Sequence, residues 1–250
     1  MIVDPPLLKI RRDFARPSAE LLAGFAGAPT GNVVDAMGGR GCLDYRIKPL
    51  APDARVMVGT AVTCDAGPAD NLALFGALHA ARRGDILIAA TDSFTATAVT
   101  GDLLLGMARN RGVAGFVTDG LVRDIVGILA VGLPVYCAGA TANSPARNGP
   151  GTVGLPVVVG GVRIESGDIV IGDRDGVVIV PLADAEAVLA QLDAVRAAEA
   201  ALEAKVHAGL EIPDFVTAIV ESERTIEIAE GRSATPPEAP GASSRRRDGR

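Results

Sequence analysis

The sequence has 250 residues, long enough for one domain with a sizeable buried core, and its 48% hydrophobic against 22% charged residues is an ordinary globular balance. Aromatic residues are only 3% and tryptophan is absent, so aliphatic side chains must fill that core. The net charge of −6 argues against a nucleic-acid partner, which asks for a basic face.

The opening MIVDPPLLKIRRDF lacks the apolar run of a secretory signal, so the expectation is a cytoplasmic protein. Ser18 is placed to cap a helix over 18–28, and Thr30 to cap a second through Met37, after which Gly38-Gly39-Arg40-Gly41 breaks the chain. Residues 55–64 (RVMVGTAVTC) are β-rich, 70–82 helical and 86–90 a short buried strand. A helix over 102–111, a strand over 113–118, a helix over 121–131 and a strand over 134–137 continue a β-α-β rhythm, which implies parallel strands joined by crossover helices. Beyond about residue 150 the style changes to short strands (155–159, 162–164, 169–172 and 177–180), with Asp175-Gly176 a hairpin signal between the last two. A long helix over about 183–207 and a shorter one over about 212–229 follow. Residues 1–230 are expected to form a single domain, mixed α/β with a C-terminal helical arm. Residues 231–250 carry +3 and no apolar period, which predicts a disordered tail and leaves −9 on the rest.

Several chemistries are excluded. Cys42, Cys64 and Cys137 are odd in number and form no C-x-x-C, so they read as reduced, buried thiols. The uncharged stretch 125–146 is too broken by Gly127, Gly132 and Pro134 to span a bilayer. No Walker A loop, no G-x-G-x-x-G after a strand and no G-x-S-x-G elbow occurs. His79 and His207 lack ligand-like spacing, so a metal would be held by oxygens, which points to Mg²⁺ or Mn²⁺ rather than zinc. Lys9, Lys48 and Lys205 fall on no apolar strand, where desolvation could prepare a Schiff-base amine.

Three elements remain. In Thr118-Asp119-Gly120-Leu121-Val122-Arg123-Asp124 an apolar strand runs through a Gly turn into a helix, placing Arg123 and Asp124 in its first turn, where α/β sheets collect ligands. Arg123 offers a planar fork to a carboxylate or is simply solvated; Asp124 offers a hard oxygen to a cation or simply complements the helix dipole. Gly101-Asp102-Leu103-Leu104 opens the preceding helix, whose free N–H groups suit an anion; the alternative is that Asp102 is simply a cap. Glu199 lies on the seam Leu192, Val195, Leu202, Val206, where a carboxylate either pairs across an interface or works in a site. Glu203 sits nearer the solvated edge, and the choice between the two stays open.

The stretches DNLALFGALHAARRGDILI, TGDLLLGMARNRGVAGFVTDGLVRD, GLPVYCAG and GGVRIESGDIVIGDRDGVVIVP resemble the RraA-like family. That family includes class II pyruvate aldolases acting on 4-hydroxy-4-methyl-2-oxoglutarate and 4-carboxy-4-hydroxy-2-oxoadipate, and also the regulator of ribonuclease activity A. The resemblance implies a swivelling β/β/α fold in trimers or trimer pairs, with active sites between subunits. It implies that Gly101, Asp102, Leu103 and Leu104 offer backbone N–H groups to the substrate and that Arg123 binds the pyruvyl carboxylate. By the same resemblance Asp124 binds Mg²⁺ or Mn²⁺, Asp102 acts through water on that metal, and Glu199 from a neighbouring chain completes the site. The implied reaction releases pyruvate from a 4-hydroxy-2-oxo acid through an enolate, with oxaloacetate decarboxylation as a side activity. The alternative is a non-catalytic regulator that binds a basic protein partner through the acidic body. Asp70-Asn71-Leu72 and the GDLL form look closer to the aldolases.

Overall fold

A computed structural model describes residues 6–51 and 56–228. Arg55 at the start of the expected β-rich run, Ala229 at the end of the last expected helix and the Arg-rich tail lie outside them. Strand β1 (Leu8–Ile10) is followed by α1 (Ala19–Gly24), α2 (Thr30–Ala36), β2 (Lys48–Pro49), β3 (Met57–Asp65), α3 (Leu72–Ala80) and β4 (Asp85–Ala90). The middle of the chain supplies β5 (Ala98–Thr100), α4 (Asp102–Asn110), β6 (Gly115–Thr118), β7 (Leu121–Val122), α5 (Ile125–Val131), β8 (Val135–Cys137) and β9 (Gly139–Ala140). Then come β10 (Gly151–Val153), β11 (Val157–Val159), β12 (Val162–Ile164), β13 (Ile169–Gly172), β14 (Val177–Val180), α6 (Ala185–His207) and α7 (Asp214–Val220).

The main sheet runs β1-β10-β3-β4-β6-β8-β2, with the β13–β14 hairpin paired onto β3. Strands β3, β4, β6 and β8 are parallel, as the alternation of strand and helix predicts. Side chains alternate across this sheet. Leu87 and Ala89 of β4 join Leu74, Leu105, Phe116 and Ile128 in a core beneath α3, α4 and α5. Ile86 and Ile88 face the other way, onto Tyr136, Ile164, Val170 and Ile179 of the β-rich half. A third cluster covers the far face of β13–β14 with Phe25, Val33 and Leu192. Truncating a buried leucine such as Leu87 to alanine removes contacts on which this layering depends, at about 2–5 kcal/mol. The fold is the expected mixed α/β type with a C-terminal helix. By its contacts the chain divides into units 1–200 and 201–250, with the boundary inside α6. Among the described residues no helix is long and apolar enough to cross a membrane.

Five local expectations need correction. The predicted helix over 121–131 is a strand followed by a helix, because Leu121 and Val122 pair with β5 and β9 in a small second sheet. Residues 70–82 yield a helix only from Leu72, because Asp70 turns its carboxylate to the N–H groups of Leu72, Asn148 and Gly149. Thr30 is the first residue of its helix, after Pro29, and donates through N and Oγ1 to Asp173. Cys42 is exposed, while Cys64 and Cys137 are buried. The helix expected over about 212–229 is shorter, Asp214–Val220, and residues 221–228 lie outside it.

Candidate active site

The parallel strands end on one side of the sheet. There the buried carboxylate of Asp119 accepts from Thr91 N at 2.8 Å, Thr91 Oγ1 at 2.9 Å and Ser93 N at 3.0 Å, tying the end of β4 to that of β6. Beyond Gly120 the chain enters the small sheet. Arg123 N donates to Thr100 O at 3.0 Å, and Thr141 N donates to Val122 O at 2.9 Å. These bonds set Arg123 and Asp124 beside Gly101, at the start of α4.

Asp124 is the N-cap of α5 in a left-handed conformation, φ 61° and ψ 46°, and its carboxylate makes no capping bond. Few side-chain-bearing residues adopt that conformation, and Asp is among those that do. It turns the carboxylate back over the chain, where Oδ2 lies 3.2 Å from Arg123 Nε. Arg123 Nη1 donates to Ser144 Oγ. A Cβ at Gly101 would come within 2.6 Å of Asp124 Oδ2, so that glycine leaves the space the carboxylate occupies. Asp102 opens α4. The first turn closes with Leu105 N on Gly101 O at 3.3 Å, leaving the N–H groups of Leu103 and Leu104 without an intrahelical acceptor.

A cavity of about 340 Å³ joins these groups: Gly101 to Leu104, Arg123 and Asp124 all line it. Sequence reasoning missed three others on its wall, Asn71, Ser144 and Arg147. Arg147 lies over the ring of Phe75, 5.2 Å from its centroid. Asn71 is buried, and among the described residues its Oδ1 has no hydrogen-bond partner. These residues arrive from the start of α3 and from the loop after β9, joined by Asn71 N to Ala146 O at 3.0 Å and Ala146 N to Ala69 O at 2.7 Å. The early signals were the Asp70-Asn71-Leu72 stretch, noted without a role for Asn71, and the place of Arg147 at the end of a long uncharged stretch.

Glu199 lies elsewhere. On an exposed part of α6 it accepts from Asn32 Nδ2, and it does not line the Arg123 cavity of its own chain. Glu203 lies 4.0 Å from His207, one turn on. A larger cavity of about 610 Å³, lined by Arg11, Arg163, Glu165 and Asp168, is a weaker candidate because these side chains already have hydrogen-bond partners within the chain, Arg11 on Gly154 O. Arg163 pairs with Glu165 at 2.8 Å, and Asp168 accepts from Glu165 N and Leu182 N. Burial raises the Asp168 pKa despite those bonds.

The donor chemistry of the Arg123 cavity fits a hard divalent cation. Among the described residues no three His, Cys, Asp or Glu side chains group as a complete ligand cage. Two carboxylates, Asp102 and Asp124, line this cavity without a histidine or cysteine, and among the described residues neither accepts a backbone hydrogen bond. Mg²⁺ is usually held this way, through one or two carboxylates with water and substrate filling the remaining positions.

Comparison with known proteins agrees with the fold. The RraA-like family model (Aldolase/RraA) matches residues 30–179. A protein of Halalkalibacterium halodurans named "Putative 4-hydroxy-4-methyl-2-oxoglutarate aldolase" is 38% identical over 170 residues, covering 68% of this chain and 80% of the relative. The crystal structure of Streptomyces coelicolor RraAS2, described as an unusual member of the RNase ES inhibitor RraA protein family, superposes with a TM-score of 0.67 at 26% identity, covering 76% of this chain and 100% of that one. An uncharacterized protein from Pseudomonas syringae pv. tomato shares the fold at 23% identity, with a TM-score of 0.70 over 79% of this chain and 96% of its own.

Proposed function

The chain belongs to the RraA-like family, and we propose that it is a divalent-metal-dependent class II aldolase, a carbon-carbon lyase. It would cleave a 4-hydroxy-2-oxo dicarboxylic or tricarboxylic acid to pyruvate and a second keto acid. The observation that carries this reading is the convergence of Arg123, Asp124, Asp102 and the free N–H groups of α4 on one cavity. The name of the Halalkalibacterium relative supports the same chemistry.

In this reading Arg123 binds the pyruvyl carboxylate through its guanidinium fork, held in plane by Asp124 on Nε and Ser144 on Nη1. The N–H groups of Leu103 and Leu104 bind the same end of the substrate, in the positive field of the α4 N-terminus. Asp124 would hold Mg²⁺ or Mn²⁺, which when bound would supply Lewis acidity to the keto-acid head. Carbon-carbon cleavage leaves negative charge on the pyruvyl oxygen, and Arg123 is placed to stabilise it. Asp102 takes the proton of the substrate's 4-hydroxyl as the C3–C4 bond breaks and returns it to the enolate carbon C3, with Glu199 as its assistant. Oxaloacetate carries the same head, so its decarboxylation follows through the same charge distribution. Arg147, at the cavity wall over Phe75, suits the further carboxylate that distinguishes these substrates from pyruvate itself.

Residues 1–230 are the catalytic domain of this cytoplasmic enzyme. It works as a homotrimer or hexamer in which Glu199 of one chain serves the cavity of the next. A second reading, a non-catalytic regulator of ribonuclease activity, is favoured by the likeness to RraAS2 and by the acidic body. Pyruvate formation from 4-hydroxy-4-methyl-2-oxoglutarate and from oxaloacetate separates the two. The lyase gives pyruvate from both, supported by Mg²⁺ or Mn²⁺ and abolished by EDTA. No pyruvate with either metal, or undiminished turnover in EDTA with metal content verified as nil, contradicts it.

A further inference from the structure

Gly127 is the third residue of α5, a position where glycine is not needed for the backbone: its φ is not positive. There glycine is a poorer helix former than alanine. What it leaves is space. A Cβ built at Gly127 would overlap Asp102 Oδ2 and come within 2.7 Å of Asp102 Cβ and 2.8 Å of its Cγ. The three nearest atoms it would meet all belong to that one side chain.

The arrangement is crossed. The helix carrying Gly127 is capped by Asp124, and the helix opened by Asp102 is capped by Gly101. Asp124 Oδ2 occupies the space over Gly101, and Asp102 Oδ2 occupies the space over Gly127. Each carboxylate therefore lies where the side chain is missing on the helix that carries the other. A methyl group at either glycine would therefore displace one carboxylate while the residue that bears it stays unchanged in sequence.

We propose that Gly127 is a positioning residue: its empty side-chain place holds the Asp102 carboxylate in the cavity beside Asp124. The kinetic consequence rests on the lyase reading, whereas the steric one does not. The test is a double-mutant cycle of Gly127→Ala and Asp102→Gly, read by thermal melting and by steady-state kinetics of pyruvate release.

In the native background Gly127→Ala lowers Tm, because alanine collides with Asp102. In the Asp102→Gly background the same change raises Tm by about 2–4 °C, because the obstacle is gone and alanine's helix propensity remains. Gly127→Ala alone lowers kcat about a hundredfold, the scale of a 1 Å misplacement, while KM stays within about threefold because Arg123 still binds the substrate. Equal Tm shifts in the two backgrounds, or native kcat in Gly127→Ala, would overturn the proposal. If the native protein releases no pyruvate, the lyase reading fails, and the sign of the Tm shift in the Asp102→Gly background still decides the cradle.

Discussion

Arg123 Nε lies 3.2 Å from Asp124 Oδ2, so two consecutive residues turn their side chains toward one another at the wall of one cavity. In a strand successive side chains point to opposite faces, and in a helix neighbours one apart do not face each other. The left-handed backbone of Asp124 makes the pairing possible.

That backbone separates two contributions of Asp124. Asp124→Gly and Asp124→Asn keep residue types that tolerate the left-handed region, whereas Asp124→Ala leaves a β-carbon there without the short polar side chain that makes it tolerable, at about 1–2 kcal/mol. In the lyase reading all three should lower kcat/KM about a hundredfold or more, since the Lewis acidity the carboxylate would secure is worth several kcal/mol. Only the alanine variant should also melt clearly earlier. An alanine variant as stable as the glycine one would refute the backbone argument.

Arg147 should matter for the far end of the substrate and not for pyruvate. Arg147→Ala is expected to raise KM for 4-hydroxy-4-methyl-2-oxoglutarate about tenfold, the loss of one charge-assisted contact. Hydrogen exchange at the methyl group of pyruvate should stay at the native rate. Equal losses on both substrates would assign Arg147 to general integrity of the cavity.

Asp173 sets a pH dependence in the fold. Burial acts to raise its pKa, but hydrogen bonds from Thr30 N, Thr30 Oγ1 and Asp175 N outweigh it and hold the carboxyl below its ordinary 3.8. The folded state therefore binds this proton less readily than the unfolded chain. The stabilisation is complete above the ordinary value and is lost as the pH falls through the depressed one. Asp173→Ala should cost about 1 kcal/mol at neutral pH, allowing for screening of a part-exposed carboxylate, and the Tm gap should narrow as the pH falls below the ordinary 3.8. A gap that widens in acid would contradict the assignment.

Much of the fold was legible because buried parallel strands are written as apolar runs. Ile86 to Ala90 and Gly115 to Thr118 are flanked by helical segments, and the β-α rhythm follows from them. Leu121 and Val122 were read as helix because two apolar residues beside a longer apolar stretch have no period of their own. Their pairing with Ala98, Thr100, Gly139 and Ala140 is a tertiary fact. Strand β1 escaped notice for the same reason: Leu8 to Ile10 is a strand only because Gly151 to Val153 lies beside it. In the site, Gly101, Asp102, Arg123 and Asp124 were legible as local motifs opening helices. Asn71, Ser144 and Arg147 were not, since chain-distant bonds through Asp70 and Ala146 bring them to the wall.

Glu199 tests whether sites are shared. In its own chain it bonds Asn32 and lies off the Arg123 cavity. If it serves a neighbour, inactive Arg123→Ala and Glu199→Ala chains should complement when mixed. On a ring of equal parts about one quarter of sites receive both native residues. Activity staying at the single-mutant level, with mixed trimers confirmed by mass, would reject the shared site.

The central claim is that this cavity stabilises a pyruvate enolate through Arg123. Its most direct measurement is deuterium uptake into the pyruvate methyl group in D₂O, followed by NMR with Mg²⁺ present, for the native protein and Arg123→Ala. An enolate that forms and is reprotonated must exchange those hydrogens. The account predicts exchange by the native protein, stopped by EDTA, and a loss equivalent to about 2–5 kcal/mol in Arg123→Ala. No exchange by the native protein, or an Arg123→Ala rate within about threefold of native, a difference of under about 1 kcal/mol, would contradict it.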